Sequence, residues 1–411
     1  MTDKAREISI VVVGGSYAGA AAAKQLALLN KKGYAGVKVT LVDKSTHYFH
    51  AIGFPKALVD AEYADQAFLP FAAFFPAGSK HEFINKKLQR VVDEHHIELD
   101  NGQSVYYDYL VLATGGQAPG PINVTGKTKD EGVEEISRLR QGLDTADSVL
   151  VIGGGAVGVE VAGYVAQKYP TKKVTLVHSG RRLLPENFRP GISNGAIAKL
   201  NRLGVQVVLE DKVEIPQDFG YASNIGHRTL RGIKSGTAYE SDVQILAVGF
   251  KVHTDYMEPL EHLTGLPLRT EQTNTICVLP TLQINAPTLP HIFVPGDVNN
   301  LPQSTKFGFK AEMQGKTTAN NIKKLIASGF DITFKAKKGA WSGAVAVGKW
   351  TDYVDLMLVP IGPELGVAQV LKIALGGSNV ANFFVRQLKS KDFMLGMRKD
   401  YFPGLKKRKR E

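Results

Sequence analysis

The chain has 411 residues, more than one hydrophobic core organises, so two or three domains are expected. At 44% hydrophobic and 22% charged residues the composition is that of folded domains and excludes a disordered chain. The formal charge is +11, which favours anionic ligands or surfaces, and the one cysteine, Cys277, excludes an internal disulfide, a Cys-x-x-Cys redox pair and a multi-thiolate zinc site.

The opening residues MTDKAREISI lack the apolar core of a signal peptide, and Thr2 stands where N-myristoylation needs a glycine. No run of apolar residues is long enough for a transmembrane helix. A protein of a reducing compartment is expected, cytoplasmic or peripheral at a mitochondrial or lipid-droplet membrane.

The segment ISIVVVGGSYAGAAAAKQLALL, followed by VKVTLVDKS, reads as strand, glycine turn, helix and strand. The turn runs Gly14, Gly15, Ser16, Tyr17, Ala18, Gly19, a dinucleotide-binding fingerprint with serine in place of the middle glycine. Asp43, followed by Lys44, ends the second strand, where a carboxylate suits the hydroxyls of an adenosine ribose. Tyr109 to Leu112 is a buried-type strand running into a small-residue turn, Ala113, Thr114 and Gly115.

The same unit returns about 140 residues later as DSVLVIGGGAVGVEVAGYVAQKY and KKVTLVHSG. Its fingerprint is complete in Gly153, Gly155 and Gly158: a tight turn, a close approach to pyrophosphate, and close packing of helix on strand. The helix N-terminus offers free N–H groups to the phosphates. The second strand ends in His178, with Arg181 and Arg182 behind it. These residues tolerate or attract a 2′-phosphate, so NADPH is permitted alongside NADH; equally, they read as a solvated loop. The strand Val243 to Val248, ending at Gly249, echoes the return strand of the first unit. His291 to Val294 leads through Pro295 and Gly296 to Asp297, which would reach back to the first nucleotide.

After Ile332 the pattern changes to strands over Gly343–Val347 and Tyr353–Leu358, and to a helix with Val380, Phe383, Phe384 and Leu388 on one face. A core-facing role for that face is favoured over a membrane-facing one. The basic run Lys406, Lys407, Arg408, Lys409 and Arg410 suits an anionic membrane surface, nuclear import or nucleic acid, or is plain solvated chain. The expected architecture is α/β: an FAD-binding domain over 1–130 and 256–332, an NAD(P)H-binding domain over 131–255, and a small α+β domain with the basic tail over 333–411.

With the stretches VVVGGSYAG, LVLATGG, VIGGGAVGVEVAGYVAQKYPTKKVTLVHSG, VPGDV and LKSKDFML, the chain resembles the pyridine-nucleotide-disulfide oxidoreductase superfamily. More narrowly it resembles the apoptosis-inducing-factor-like branch that includes the ferroptosis suppressor proteins; type II NADH:quinone dehydrogenases are similar at greater distance. The resemblance implies non-covalent FAD, NADH or NADPH as co-substrate, and electrons passed to a quinone. It places Lys56 at a flavin contact, Lys87 at a backbone contact to the adenine, and Asp297 on the flavin side. It places Glu160 near the nicotinamide and Lys306 near the flavin ring. Other acceptors stay open: oxygen, a protein partner, or none in a flavin-bound signalling or nucleic-acid-binding protein. The oligomeric state is left open.

Overall fold

The computed structural model describes residues 7–29, 36–117, 124–216, 219, 224–302, 306–329, 347–351, 356–371, 373–376 and 378–405. Two five-stranded sheets dominate it. In the first, strand Ile8–Val13 lies between Val37–Asp43 and Tyr109–Leu112, with Glu82–Asn85 and Ile292–Phe293 at the edges, every pair parallel. In the second, Ser148–Ile152 lies between Lys173–Val177 and Ala238–Leu246. Gln206–Val208 extends it in parallel and Asn224–Arg231 closes it antiparallel. Near-continuous Val, Ile and Leu runs form these strands because both faces are covered, and Ile10 to Val13 and Val149 to Ile152 are accordingly buried.

The register repeats from one sheet to the other. Val13 pairs with Val42 and Leu112, and Ile152 with Val177 and Leu246. Each central strand is thus a topological switch point, where a doubly wound sheet opens a crevice beyond its strand ends. Helix Tyr17–Ala27 rises from one crevice and helix Ala156–Lys168 from the other. The short methyl side chains of Ala20 to Ala23, all buried, let the first helix lie close on its sheet and on helix Gly308–Ala327.

The chain passes between the two units twice, and the crossings are tied together. Gln117 and Lys251 pair as an antiparallel bridge, each N–H donating to the other's carbonyl at 2.7 and 2.9 Å.

A three-stranded antiparallel sheet, Leu356–Ile361, Leu365–Val370 and Ile373–Gly376, packs on helices Ala156–Lys168 and Pro190–Arg202. Of the strand expected over Gly343–Val347, residues 343–346 lie outside the described residues, as does the basic run 406–410. The helix expected near Val380 is present as Asn379–Val385, but its faces are the reverse of the expectation. Ala381 and Val385 turn inward against Ala368, while Val380, Phe383, Phe384 and Leu388 are 43–60% exposed. Val385 fits because the strand beneath has Gly366 there, where an added Cβ would lie 2.5 Å from Val385 Cγ1.

The segment from Arg386 to Phe402 then crosses both units as a strap. Phe393 enters the core that contains the second sheet, and Phe402 enters the core of the first. Lys56 Nζ donates to Lys391 O at 2.7 Å, Tyr63 OH to Asp392 O at 2.8 Å, and Lys24 Nζ to Asp400 O at 2.7 Å. Arg398 pairs with Glu312 at 2.5 Å, both largely buried.

Candidate functional site

The two glycine turns place their first and last glycines alike. Gly14 and Gly153 have φ of +93° and +114°, in the region that favours glycine. A Cβ on either would lie 2.4 Å from the carbonyl of Ala113 or Ala247. Gly19 and Gly158 pack their helices so tightly that a Cβ would lie 1.7 or 1.8 Å from the oxygen of Gly14 or Gly153. These four glycines are required by the protein's own backbone. Gly155 is different, since no protein atom lies within 4 Å of a Cβ built there. The middle position is thus spacious on protein grounds, which is why Ser16 is accommodated at the same place, exposed at its helix N-terminus with its hydroxyl making no capping bond.

One main-chain N–H in each turn is held by the end of the second strand. Gly15 N–H donates to Asp43 Oδ2 at 2.7 Å, and Ser45 N–H to Asp43 Oδ1 at 2.8 Å. In the second unit Gly154 N–H donates to His178 Nδ1 at 3.1 Å. Burial raises the Asp43 carboxyl above its ordinary range, against the pull of the Gly15 and Ser45 N–H groups and of Lys44. Tyr17 and Ala18 are buried in the first helix turn.

Asp297 is brought to the same crevice by the turn at Gly296, whose N–H donates to Gln314 Oε1 at 2.6 Å. Asp297 Oδ1 is buried with no hydrogen-bond partner among the described residues, and burial raises this carboxyl, offset by Lys306. A buried carboxylate oxygen without a donor is costly unless a ligand hydroxyl completes it. Together with the open middle of the turn and the ribose-type carboxylate Asp43, it fits FAD on the first unit. Lys306 Nζ donates to Asp297 O and lies 4.8 Å from the Phe250 ring. Thr114 Oγ1 and Tyr256 OH share a hydrogen bond of 2.7 Å, while Gly115 and Gly249 have φ of +61° and +64° where the chain leaves each unit.

Glu160 lies in the second helix, 3% exposed, and its Oε1 meets Lys389 Nζ at 2.6 Å. Burial raises the Glu160 carboxyl, with Lys389 opposing. Lys389 also donates to Leu358 O at 3.0 Å and lies 5.6 Å from the Phe393 ring. Sequence reasoning missed Lys389: the stretch LKSKDFML carried a resemblance, but nothing in it indicated a partner 229 residues away. Next to this pair His50 is fully buried, with Nε2 donating to Phe393 O at 2.7 Å and Nδ1 within 3.3 Å of Tyr17 OH and 3.4 Å of Tyr48 OH.

Lys56 turns toward the strap and lines an open cleft of about 260 Å³ with Asp60, Tyr63, Lys391 and Lys399. The structure therefore gathers it with the strap and not with the Gly14–Gly19 turn. Lys87 is exposed, and its carbonyl accepts Asp100 N–H at 2.9 Å. Arg181 is exposed, and Arg182 donates to Glu186 O at 3.0 Å.

A sequence model described as pyridine nucleotide-disulphide oxidoreductase matches residues 8–315, spanning both glycine turns and Asp297. The chain belongs to that family. It is therefore an oxidoreductase that uses FAD and NAD(P)H. Among its relatives is apoptosis-inducing factor homolog B of Dictyostelium discoideum, 24% identical over 403 residues with 94% of each chain covered. Ferroptosis suppressor protein 1 of Homo sapiens is 26% identical, again with 94% of each chain covered. In fold it is similar to an NDH2 from Plasmodium falciparum in complex with NADH, with a TM-score of 0.69, 13% identity, and coverage of 97% of this chain and 99% of that one. The sulfide:quinone oxidoreductase of Aquifex aeolicus gives 0.68, 17%, 95% and 92%. Among the described residues no helix is long and apolar enough to cross a membrane.

Proposed function

We propose that this oxidoreductase passes electrons from NAD(P)H to a quinone, with FAD on the first unit and the nicotinamide nucleotide on the second. When bound, FAD supplies the two-electron step that links nucleotide to acceptor. The observation that carries the quinone reading is the single cysteine. Cys277 has no second thiol to pair with, and burial raises its pKa, so an acceptor that needs no protein dithiol is required. The name of one protein of similar fold, a sulfide:quinone oxidoreductase, accords with this.

The residues then have defined tasks. The Gly14–Gly19 turn, with Ser16 at its middle, binds pyrophosphate, Asp43 the ribose hydroxyls, and Asp297 a hydroxyl of the flavin chain. Gly153 to Gly158 bind the second pyrophosphate. Glu160 orients the nicotinamide end and holds Lys389. An ammonium has three donors, and Lys389 spends two on Glu160 and Leu358, so one remains for a substrate oxygen. Lys306 presents a second cation at the flavin side.

The outward face Val380, Phe383, Phe384 and Leu388 is an exposed apolar surface on a chain of formal charge +11. That combination suits an anionic bilayer, where long-tailed quinones reside. Anaerobic NADH is expected to bleach the flavin band near 450 nm, and short-chain ubiquinone to restore it faster than oxygen does. Bleaching that only oxygen reverses would point to an NAD(P)H oxidase instead.

A further inference from the structure

The two units hold equivalent N–H groups with chemically different acceptors, and the difference bears on which nucleotide the second site takes. This rests on the reading of the second turn as the NAD(P)H site. A main-chain N–H can donate only to an unprotonated nitrogen, so His178 Nδ1 carries no hydrogen and a neutral ring keeps its proton on Nε2. Burial lowers the His178 pKa, while the Arg182 backbone and Glu186 oppose, so the imidazole stays neutral at pH 7. In the first unit the same duty falls to a carboxylate. A carboxylate also brings a negative charge to the ribose edge, which accepts two hydroxyls and repels a phosphate. His178 does the structural half of that work without the charge.

The surrounding loops are firmly placed. His178 N–H donates to Val208 O at 2.8 Å, Glu210 N–H to Gly180 O at 3.0 Å, and Leu184 N–H to Gly154 O at 2.7 Å. Seven charged side chains stand on them or on the adjoining hairpin: Arg181, Arg182, Lys212, Lys234, Glu186, Glu210 and Asp211. Asp211 accepts from Ser235 Oγ at 2.5 Å and Tyr239 OH at 2.7 Å, bonds that keep it ionised, so four cations stand against three carboxylates. Glu210 stands 3.8 Å from both Arg181 and Lys234, long exposed pairs that hold neither cation strongly. The balance left at the loop is positive.

We propose that His178 sets the choice of nucleotide. It supplies the acceptor that Gly154 needs without a negative charge, which frees Arg181 and Arg182 to take a 2′-phosphate, and the second site selects NADPH over NADH.

Calorimetric titration of the FAD-loaded protein with 2′,5′-ADP and with 5′-AMP tests this without any turnover. The wild type should bind 2′,5′-ADP about tenfold or more tightly, roughly the worth of one charge-assisted phosphate contact. His178→Asp, which can accept the Gly154 N–H as Asp43 does for Gly15, should abolish that preference while 5′-AMP still binds. His178→Asn, a neutral acceptor, should keep it. Equal wild-type affinities, or an unchanged ratio in His178→Asp, would overturn the inference while leaving the nucleotide site standing. Binding of neither ligand would overturn the nucleotide reading of the second turn and this inference with it.

Discussion

A methyl group added at Gly158 would collide with Gly153 O at 1.8 Å, whereas one added at Gly155 meets no protein atom within 4 Å. The two substitutions should therefore separate folding from binding. Gly158→Ala is expected to destabilise the second unit by 1–3 kcal/mol or more, about the range of overpacking a tight contact. Gly155→Ala should leave the melting temperature nearly unchanged and still weaken NAD(P)H binding about tenfold, because only the nucleotide approaches that Cβ. Thermal melts paired with nucleotide titrations check both, and a Gly155→Ala protein with full affinity would count against pyrophosphate at this turn. At this scale the sequence was most legible. The Gly-x-Gly-x-x-Gly spacing reports a local backbone demand that the neighbouring residues alone create. The charge state of His178 was not legible, since it depends on Gly154 folding back to meet the ring.

The strap from Arg386 to Phe402 acts as one element, and Lys389 is its fastening to the second unit. Glu160 and Lys389 side chains are 4% and 12% exposed, so removing the cation leaves a buried carboxylate uncompensated. Lys389→Met is expected to cost about 3–5 kcal/mol at neutral pH. The pH dependence has a definite sign. Burial holds the Glu160 carboxyl above its ordinary value, so the folded state binds this proton more tightly than the unfolded state does. Its favourable contribution is present at low pH and is lost as pH rises through the folded value. Without Lys389 that value climbs further, and Lys389→Met should melt at progressively lower temperature from pH 5 to 8. Adding Glu160→Gln should flatten the profile; a profile already flat in Lys389→Met would show that Glu160 stays ionised there and that burial does not raise it. Strands and helices of both nucleotide units were readable from Val/Ile runs and alanine-rich helices. The strap was not. Its contacts with Glu160, His50, Lys56 and Glu312 join residues hundreds of positions apart, and its helix Asn379–Val385 carried an apolar face that periodicity assigns inward.

For the molecule as a whole, acid stability is dominated by imidazoles sealed between layers. His50 and His291 are 0% and 1% exposed, and burial pushes both down to about 4 from the ordinary 6.5. A depressed histidine pKa means that the unfolded chain takes up the proton first. The stabilisation is whole above pH 6.5 and declines as pH falls toward 4, on the order of 3 kcal/mol for each group. The raised carboxyls Asp43, Glu160 and Asp297 pull the other way. The imidazole share is therefore read as a difference: His50→Gln, which can still donate to Phe393 O, should lose less melting temperature between pH 7 and pH 4.5 than the wild type. An equal loss would remove His50 from the account.

The strap also carries a consequence in time. Residues 386–402 are synthesised after both sheets, yet Phe393 belongs to the core that contains the second and Phe402 to the core of the first. Each sheet holds every one of its strands before Arg386 leaves the ribosome. The units can close one after the other, joined by the paired crossings at Gln117 and Lys251 and by helix Phe54–Val59 packed on helix Ala156–Lys168. The part of the chain made after both is then the last to fasten their mutual orientation, and with it the distance electrons must travel.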